Sequence, residues 1–299
     1  MPFGHITVCL AHRAPDAELL RYAAAAARLG GMREVRFVHV LAPREDGGPD
    51  EDPGEVLKEV RAAAGREFDA PASVRRSHEV LQGPVLDSLL QDASATDTDL
   101  LLVGHRADRP RRRSLARRLA MKAPCSVWMA PGGSPARLGR ILAPVDYSER
   151  SADALRVAAA LAARAGLREL TALHVYFDTA RVGFEGGEQV LEARQREEFD
   201  RFVAGLDTQG VAVIPRFVNE SNAAHAITRT AGEIGADLIV LATRGRTRSA
   251  SILLGSVAEE TLIESDLPVL TVKHFGAQLG ALRALLERTE EKSRRVPFQ

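Results

Sequence analysis

The sequence predicts an α/β protein of two tandem doubly wound domains, each built on a five-stranded parallel sheet, and three observations carry that expectation. The chain repeats itself at an offset of 135. Gly31-Met32-Arg33-Glu34-Val35 and Val38-His39-Val40 fall without a gap on Gly166-Leu167-Arg168-Glu169-Leu170 and Leu173-His174-Val175, and such a repeat fixes the architecture. Short runs that are apolar at nearly every position alternate with longer Ala/Leu/Arg segments of helical period. That is the pattern of parallel strands covered on both faces by crossover helices. Between the copies stands Pro131-Gly132-Gly133-Ser134-Pro135, which can continue neither strand nor helix.

Taken in order, the first unit has strand-like runs at 6–10, 35–40, 100–103 and 126–129, and the unit reads as five strands joined by four helices. Leu20-Arg21 falls on Leu155-Arg156. The segment from Ile6 to Ala11 falls on Ile141-Leu142-Ala143-Pro144-Val145-Asp146. The match then drifts by small insertions, pairing the segment from Asp99 to Gly104 with that from Asp237 to Ala242. Residues 43–54 are rich in Pro, Gly, Asp and Glu and are expected to form a mobile acidic loop after the second strand. Residues 280–288 have helical spacing, so the reading is one domain at 1–133, a second at 138–275 and a helical tail at 276–299.

Composition removes several classes of function. A chain of 299 residues has room for two domains of ordinary size. Its 40 basic and 40 acidic residues cancel, which argues against a dedicated nucleic-acid binder. The longest charge-free runs, such as 250–258, reach about half of the roughly 20 apolar residues that a membrane span needs. The N-terminus enters an alternating apolar segment directly, so export is not expected and the location is read as cytoplasmic. Cys9 and Cys125, both in apolar runs, make neither a disulfide framework nor a metal set. No His-x3-His, His-Glu-x2-His or Cys-x2-Cys spacing offers a metal site.

In an open parallel sheet, ligands bind at the carboxyl ends of the strands near the point where strand order reverses. The second unit's first run ends at Asp146. Its fourth ends in Ala242-Thr243-Arg244-Gly245 and leads through Gly255-Ser256 into a helix beginning Val257-Ala258-Glu259. Glycine and serine before a helix put backbone N–H groups and a hydroxyl at its positive end, where a phosphate can be held.

At these residues the sequence resembles the universal stress protein family. The resemblance rests on Ile141-Leu142-Ala143-Pro144-Val145-Asp146-Tyr147-Ser148-Glu149, on Leu173-His174-Val175, on Gly245 spaced nine residues from Gly255-Ser256, and on Leu267-Pro268-Val269-Leu270-Thr271-Val272-Lys273. It covers residues 140–274 and, in degraded form, 4–131. It implies an adenine nucleotide alpha hydrolase-like fold and binding of ATP, or of AMP or ADP, with magnesium accompanying the phosphates. Carried over residue by residue, Asp146 reads the adenine edge beside Pro144, and the main chain of Val175 lies along the base. The loop from Ala242 through Arg244 and Gly245 to Gly255, Ser256 and Val257 wraps ribose and phosphates. No Gly-x4-Gly-Lys-Ser/Thr segment occurs, so this is not a P-loop.

Ala242 stands where the family's loop has its first glycine. If that position needs a positive φ, alanine costs about 1 kcal/mol. The first unit departs further: Ala11 replaces the carboxylate of Asp146, the stretch after Gly104 to Pro124 is about six residues shorter, and Arg111-Arg112 take the Gly255-Ser256 positions. That unit is expected not to bind ATP in the family's way, so that one half binds and the other supports.

Each of these features also has a plainer meaning. Asp146 with Ser148 can cap the following helix, and the glycines can be ordinary turn residues. His39 and His174, at equivalent strand positions, read as hydrogen-bonded structural residues. The basic run from Arg106 to Lys122 reads as a solvated face. The functional reading is a nucleotide-dependent regulator in stress response, with slow hydrolysis or none because the loop contains no carboxylate to act as a general base. An interaction scaffold of the same fold that binds no nucleotide is the alternative. The family pairs domains through their last strands, which here sets 126–129 against 269–273 as a pseudo-dimer within one chain. A homodimer of whole chains is the other arrangement.

Overall fold

A computed structural model describes residues 3–11, 16–43, 51–105, 114–177, 187–243 and 254–273. Residues 44–50 of the expected acidic loop and the tail beyond 273 lie outside that set. The first unit runs β1 (His5–Leu10), α1 (Asp16–Arg28), β2 (Glu34–Leu41), α2 (Pro53–Glu67), β3 (Arg75–Gln82), α3 (Val85–Ala95), β4 (Leu100–His105), α4 (Leu115–Lys122) and β5 (Ser126–Pro131). The second runs β6 (Ile141–Pro144), α5 (Glu149–Arg164), β7 (Glu169–Tyr176), α6 (Gly187–Ala204), β8 (Ala212–Asn219), α7 (Ala223–Glu233), β9 (Leu238–Ala242), α8 (Ser256–Glu264) and β10 (Val269–Val272).

The strands form one ten-stranded sheet in the order β3-β2-β1-β4-β5-β10-β9-β6-β7-β8. Every pairing is parallel except the junction of the units, where β10 runs antiparallel to β5 with Val269 opposite Met129, Leu270 opposite Trp128 and Thr271 opposite Val127. This is the last-strand pairing expected within one chain. The junction is reinforced by Thr271 Oγ1 donating to Val127 O at 3.1 Å and Lys273 N–H donating to Ser126 Oγ at 3.1 Å. Strand order reverses twice, between β1 and β4 and between β6 and β9, giving each unit its own crevice.

Side chains alternate across a strand, and the alternation decides which helices cover which face. Trp128 and Leu270 point into a core shared by α1, α2, α5 and α6, whereas Val127, Met129 and Val269 point into one shared by α3, α4, α7 and α8. Both cores run across the junction. Buried alanines let the long helices lie close on the sheet: Ala23, Ala24, Ala26 and Ala27 in α1, and Ala154, Ala158, Ala159 and Ala162 in α5. The outer strands differ, with exposed Arg75 and Arg76 in β3 and Pro215 in β8 discouraging pairing with other chains.

Cys9 and Cys125 are free thiols buried in this core, and burial pushes both pKa values up, that of Cys125 from its ordinary 9.0 to about 12. A raised acid pKa stabilises the fold below the unfolded value and loses that contribution as pH climbs toward the folded value. Stability followed by urea denaturation is therefore expected to fall as pH rises from about 9 toward 12. At about pH 8 a thiol reagent should label neither cysteine until the chain unfolds. Rapid labelling of the native protein would contradict this placement.

Candidate functional site

The second unit's crevice is assembled by hydrogen bonds at the ends of three strands. Val145 N–H donates to Leu173 O at 2.8 Å, continuing the β6–β7 ladder one residue past Pro144. Asp146 then leaves the sheet. Its N–H donates to Ser151 Oγ at 3.3 Å, while its Oδ1 accepts from Ser148 N–H at 3.1 Å and from Ser148 Oγ–H at 2.6 Å. Ser148 in turn caps α5 by accepting from Ser151 N–H at 3.2 Å. Asp146 thus orders the start of α5 through Ser148. A carboxylate oxygen can accept more than one bond, so the capping role and a ligand-reading role are compatible.

His174 closes the same corner, its Nδ1 lying 2.9 Å from Val145 O. The first unit repeats that contact, His39 Nδ1 lying 3.0 Å from Leu10 O, with both partners displaced by 135. Both imidazoles are buried. They pin β2 to β1 and β7 to β6, as the structural reading expects.

On the other side of the crevice, β9 ends at Ala242, which pairs with Val272. Among the described residues, the non-glycine positions with positive φ are Asp97, Tyr147 and Gln209. Ala242 is extended strand, so the strain allowed for there does not arise. Thr243 N–H donates to Val272 O at 3.1 Å, and Thr243 O accepts from Gly255 N–H at 2.7 Å. That second bond fixes the start of α8 at the end of β9. Gly255 is the N-cap of α8, with φ −72°, ψ 151° and no side chain to cap the helix. Its first internal bond is Glu259 N–H to Gly255 O at 2.9 Å, so the amides of Ser256, Val257 and Ala258 precede the ladder. Val257 leaves its side chain 40 % exposed.

Pro144, Asp146, Val175, Ala242, Gly255, Ser256 and Val257 accordingly gather at the carboxyl edge of β6, β7 and β9. Arg244 and Gly245 lie outside the described residues.

The first unit corrects the sequence reading at the start of its fourth helix. Its fourth helix starts under Ser114, whose Oγ accepts from Arg117 N–H at 3.2 Å. Ser114-Leu115, and not Arg111-Arg112, therefore stand at the Gly255-Ser256 positions. Nine residues separate Gly104 from Ser114 and twelve separate Ala242 from Gly255, so three of the about six residues by which the stretch from Gly104 to Pro124 is shorter fall ahead of the helix. The start of α4 is set by its cap and by the buried stripe Ala116, Leu119 and Ala120, which a count along the loop does not reveal. The basic run is also less uniform than it reads. Arg117 Nε donates to Glu259 Oε1 of the second unit at 2.8 Å, forming an ion pair between α4 and α8.

Sequence reasoning missed a cleft of about 1430 Å³ at the carboxyl ends of β1 and β4. Leu10, Val40 and Gly104 form its floor, and Ser114 and Arg118 of α4 stand on one wall. It exceeds the roughly 300–1,000 Å³ usual for small-molecule sites. The small residues Ala11 and Gly104 at adjacent strand ends were the signal that could have found it. Asp16 Oδ1 accepts from Ala11 N–H at 3.0 Å, so a carboxylate five residues onward stands beside the position that Asp146 holds in the second unit. Among the described residues no cluster of three His, Cys, Asp or Glu side chains could hold a metal ion, and no helix is long and apolar enough to cross a membrane.

The model of the universal stress protein family matches residues 2–131 and 138–273. The chain belongs to that family. Within the universal stress proteins it is 31% identical over 140 residues to one from Methanocaldococcus jannaschii, an alignment covering 45% of this chain and 81% of the relative. Two solved structures share the fold over the whole two-unit arrangement. A universal stress protein from Archaeoglobus fulgidus superposes with a TM-score of 0.64 at 17% identity, over 91% of this chain and 97% of its own. A putative universal stress protein from Pseudomonas aeruginosa gives 0.66 at 20% identity, over 91% and 93%.

Proposed function

We propose that this universal stress protein binds ATP, or the related AMP or ADP, in its second unit and acts in stress response as a nucleotide-dependent regulator with slow hydrolysis or none. The observation that carries the reading is the contrast between equivalent helices. Ser114 caps α4 with its own side chain, whereas α8 begins at Gly255 with no capping side chain, tied to the end of β9 beside the crevice that Asp146 enters. Phosphate oxygens suit such an uncapped positive end. Magnesium would arrive with the phosphates. Asp146 stands at the end of β6, on the far side of the crevice from α8, which suits the base end of the ligand better than in-line attack on a phosphate.

The test is direct. Purified protein is denatured and the supernatant analysed for released nucleotide, and ATP is titrated calorimetrically into emptied protein. An adenine nucleotide in the supernatant, or saturable ATP binding, supports the reading. Neither released nucleotide nor binding at millimolar ATP would leave the scaffold reading, which the commitment of Asp146 Oδ1 to Ser148 already favours in part.

A further inference from the structure

Tyr147 follows Asp146 directly and holds φ at 62°, in the left-handed region that bulky side chains rarely occupy because Cβ crowds the following carbonyl oxygen. Such outliers persist only where their surroundings over-determine them. Here the surroundings are visible. The phenol ring stacks on the His174 imidazole with centroids 4.2 Å apart and planes at 24°, and it meets Phe202 at 5.3 Å. His174 is itself held at Val145 O, so the ring is fixed to the same corner from which Asp146 leaves the sheet.

The left-handed turn has a consequence on each side. Behind it, the ring is drawn down onto the α5–α6 face of the sheet. Ahead of it, the chain folds back far enough for Ser148 N–H and Oγ–H both to reach Asp146 Oδ1. One carboxylate oxygen is thereby fixed by two donors, and the backbone amide of Asp146 is held by Ser151. From this geometry we infer that Tyr147 is a positioning residue for base selection: its stacked ring holds the strained turn that sets the Asp146 carboxylate against the exocyclic amino group of a 6-aminopurine. The inference rests on the proposal that the second unit binds an adenine nucleotide.

The experiment compares ATP with inosine triphosphate, which carries a carbonyl oxygen in place of the amino group, in calorimetric titrations of the full chain. Tyr147→Phe keeps the stacked ring and should hold the ATP-to-ITP affinity ratio within about twofold of the unsubstituted protein. Tyr147→Gly accepts the backbone angle without strain but removes the ring, and Tyr147→Ala removes the ring while keeping the strain. Both should lower the ratio roughly tenfold, toward one, with ITP affinity changed little. ITP binding makes no use of the amino group, so its persistence shows that the variants are folded and their phosphate site intact.

Equal loss of ATP and ITP affinity would mark a merely structural role and overturn the inference. So would a Tyr147→Gly protein with the original ratio. If the unsubstituted protein binds ATP and ITP equally, the assignment of Asp146 falls and the inference falls with it. Discrimination that survives in Tyr147→Gly removes the inference alone.

Discussion

Replacing Trp128 by alanine is expected to cost about 3–5 kcal/mol, the largest loss from any single truncation in the sheet. Trp128 is fully buried, lies opposite Leu102 of β4 and Leu270 of β10, and meets the Tyr22 ring edge-on at 5.6 Å. It therefore belongs to both units. Its removal leaves a cavity where rigid strands prevent the walls from closing, so the cavity cost adds to the lost transfer energy. Because the hydrophobic cores run through the β5–β10 junction, the loss should appear as one urea transition moved to lower concentration, followed by circular dichroism. Trp128 is the chain's single tryptophan, so fluorescence of the unsubstituted protein reports on the junction alone. Its transition should coincide with that of the secondary structure. Two separated transitions, or a loss below about 1 kcal/mol, would show that the units fold independently and that the junction carries little energy.

How far the fold can be read from the sequence depends on where burial is two-sided. β1, β4 and β5 are sandwiched between helices and declare themselves by continuous apolar runs, whereas β2, interrupted by Arg36 and His39, is declared by the repeat that matches it to β7. The outer strands β3 and β8 have one open edge and read Arg-Arg-Ser-His-Glu-Val-Leu-Gln and Ala-Val-Ile-Pro-Arg-Phe-Val-Asn, so they follow from the repeat of elements and not from hydrophobicity. The β5–β10 pairing is implied by the resemblance to the family, whose domains pair through their last strands, and by no pattern within the two runs themselves. Loop lengths are another matter. The start of α4 is fixed by the Ser114 cap and by contacts on its buried face, and a loop that differs by three residues offers no pattern from which to count. Backbone angles are equally hidden. Ala242 looks strained in a family comparison and is ordinary strand, whereas Tyr147 looks unremarkable and holds the left-handed turn. The cleft of the first unit escaped for a related reason, since a void is a property of side chains that are absent from it.

Asp146→Asn separates the two duties that the structure gives one carboxylate. Asparagine keeps an oxygen able to accept from Ser148 N–H and Oγ–H, and as a local cap it is as good as aspartate, so the melting temperature should change little. The adenine amino group, however, loses an ionised acceptor. A hydrogen bond to a charged group is worth about 1.5–3 kcal/mol, which corresponds to roughly 10- to 100-fold in ATP affinity by calorimetry. Asp146→Ala removes the cap as well, leaving two Ser148 donors without their acceptor. It should lose both affinity and about 1–2 kcal/mol of stability. The pair of variants is decisive in combination. Affinity falling in both, with stability falling only in the alanine variant, assigns adenine reading to the carboxylate and capping to its oxygen. Affinity unchanged in Asp146→Asn would confine Asp146 to holding the start of α5. The selective contact with any bound nucleotide would then have to be sought along the main chain of Val175 or at the first turn of α8.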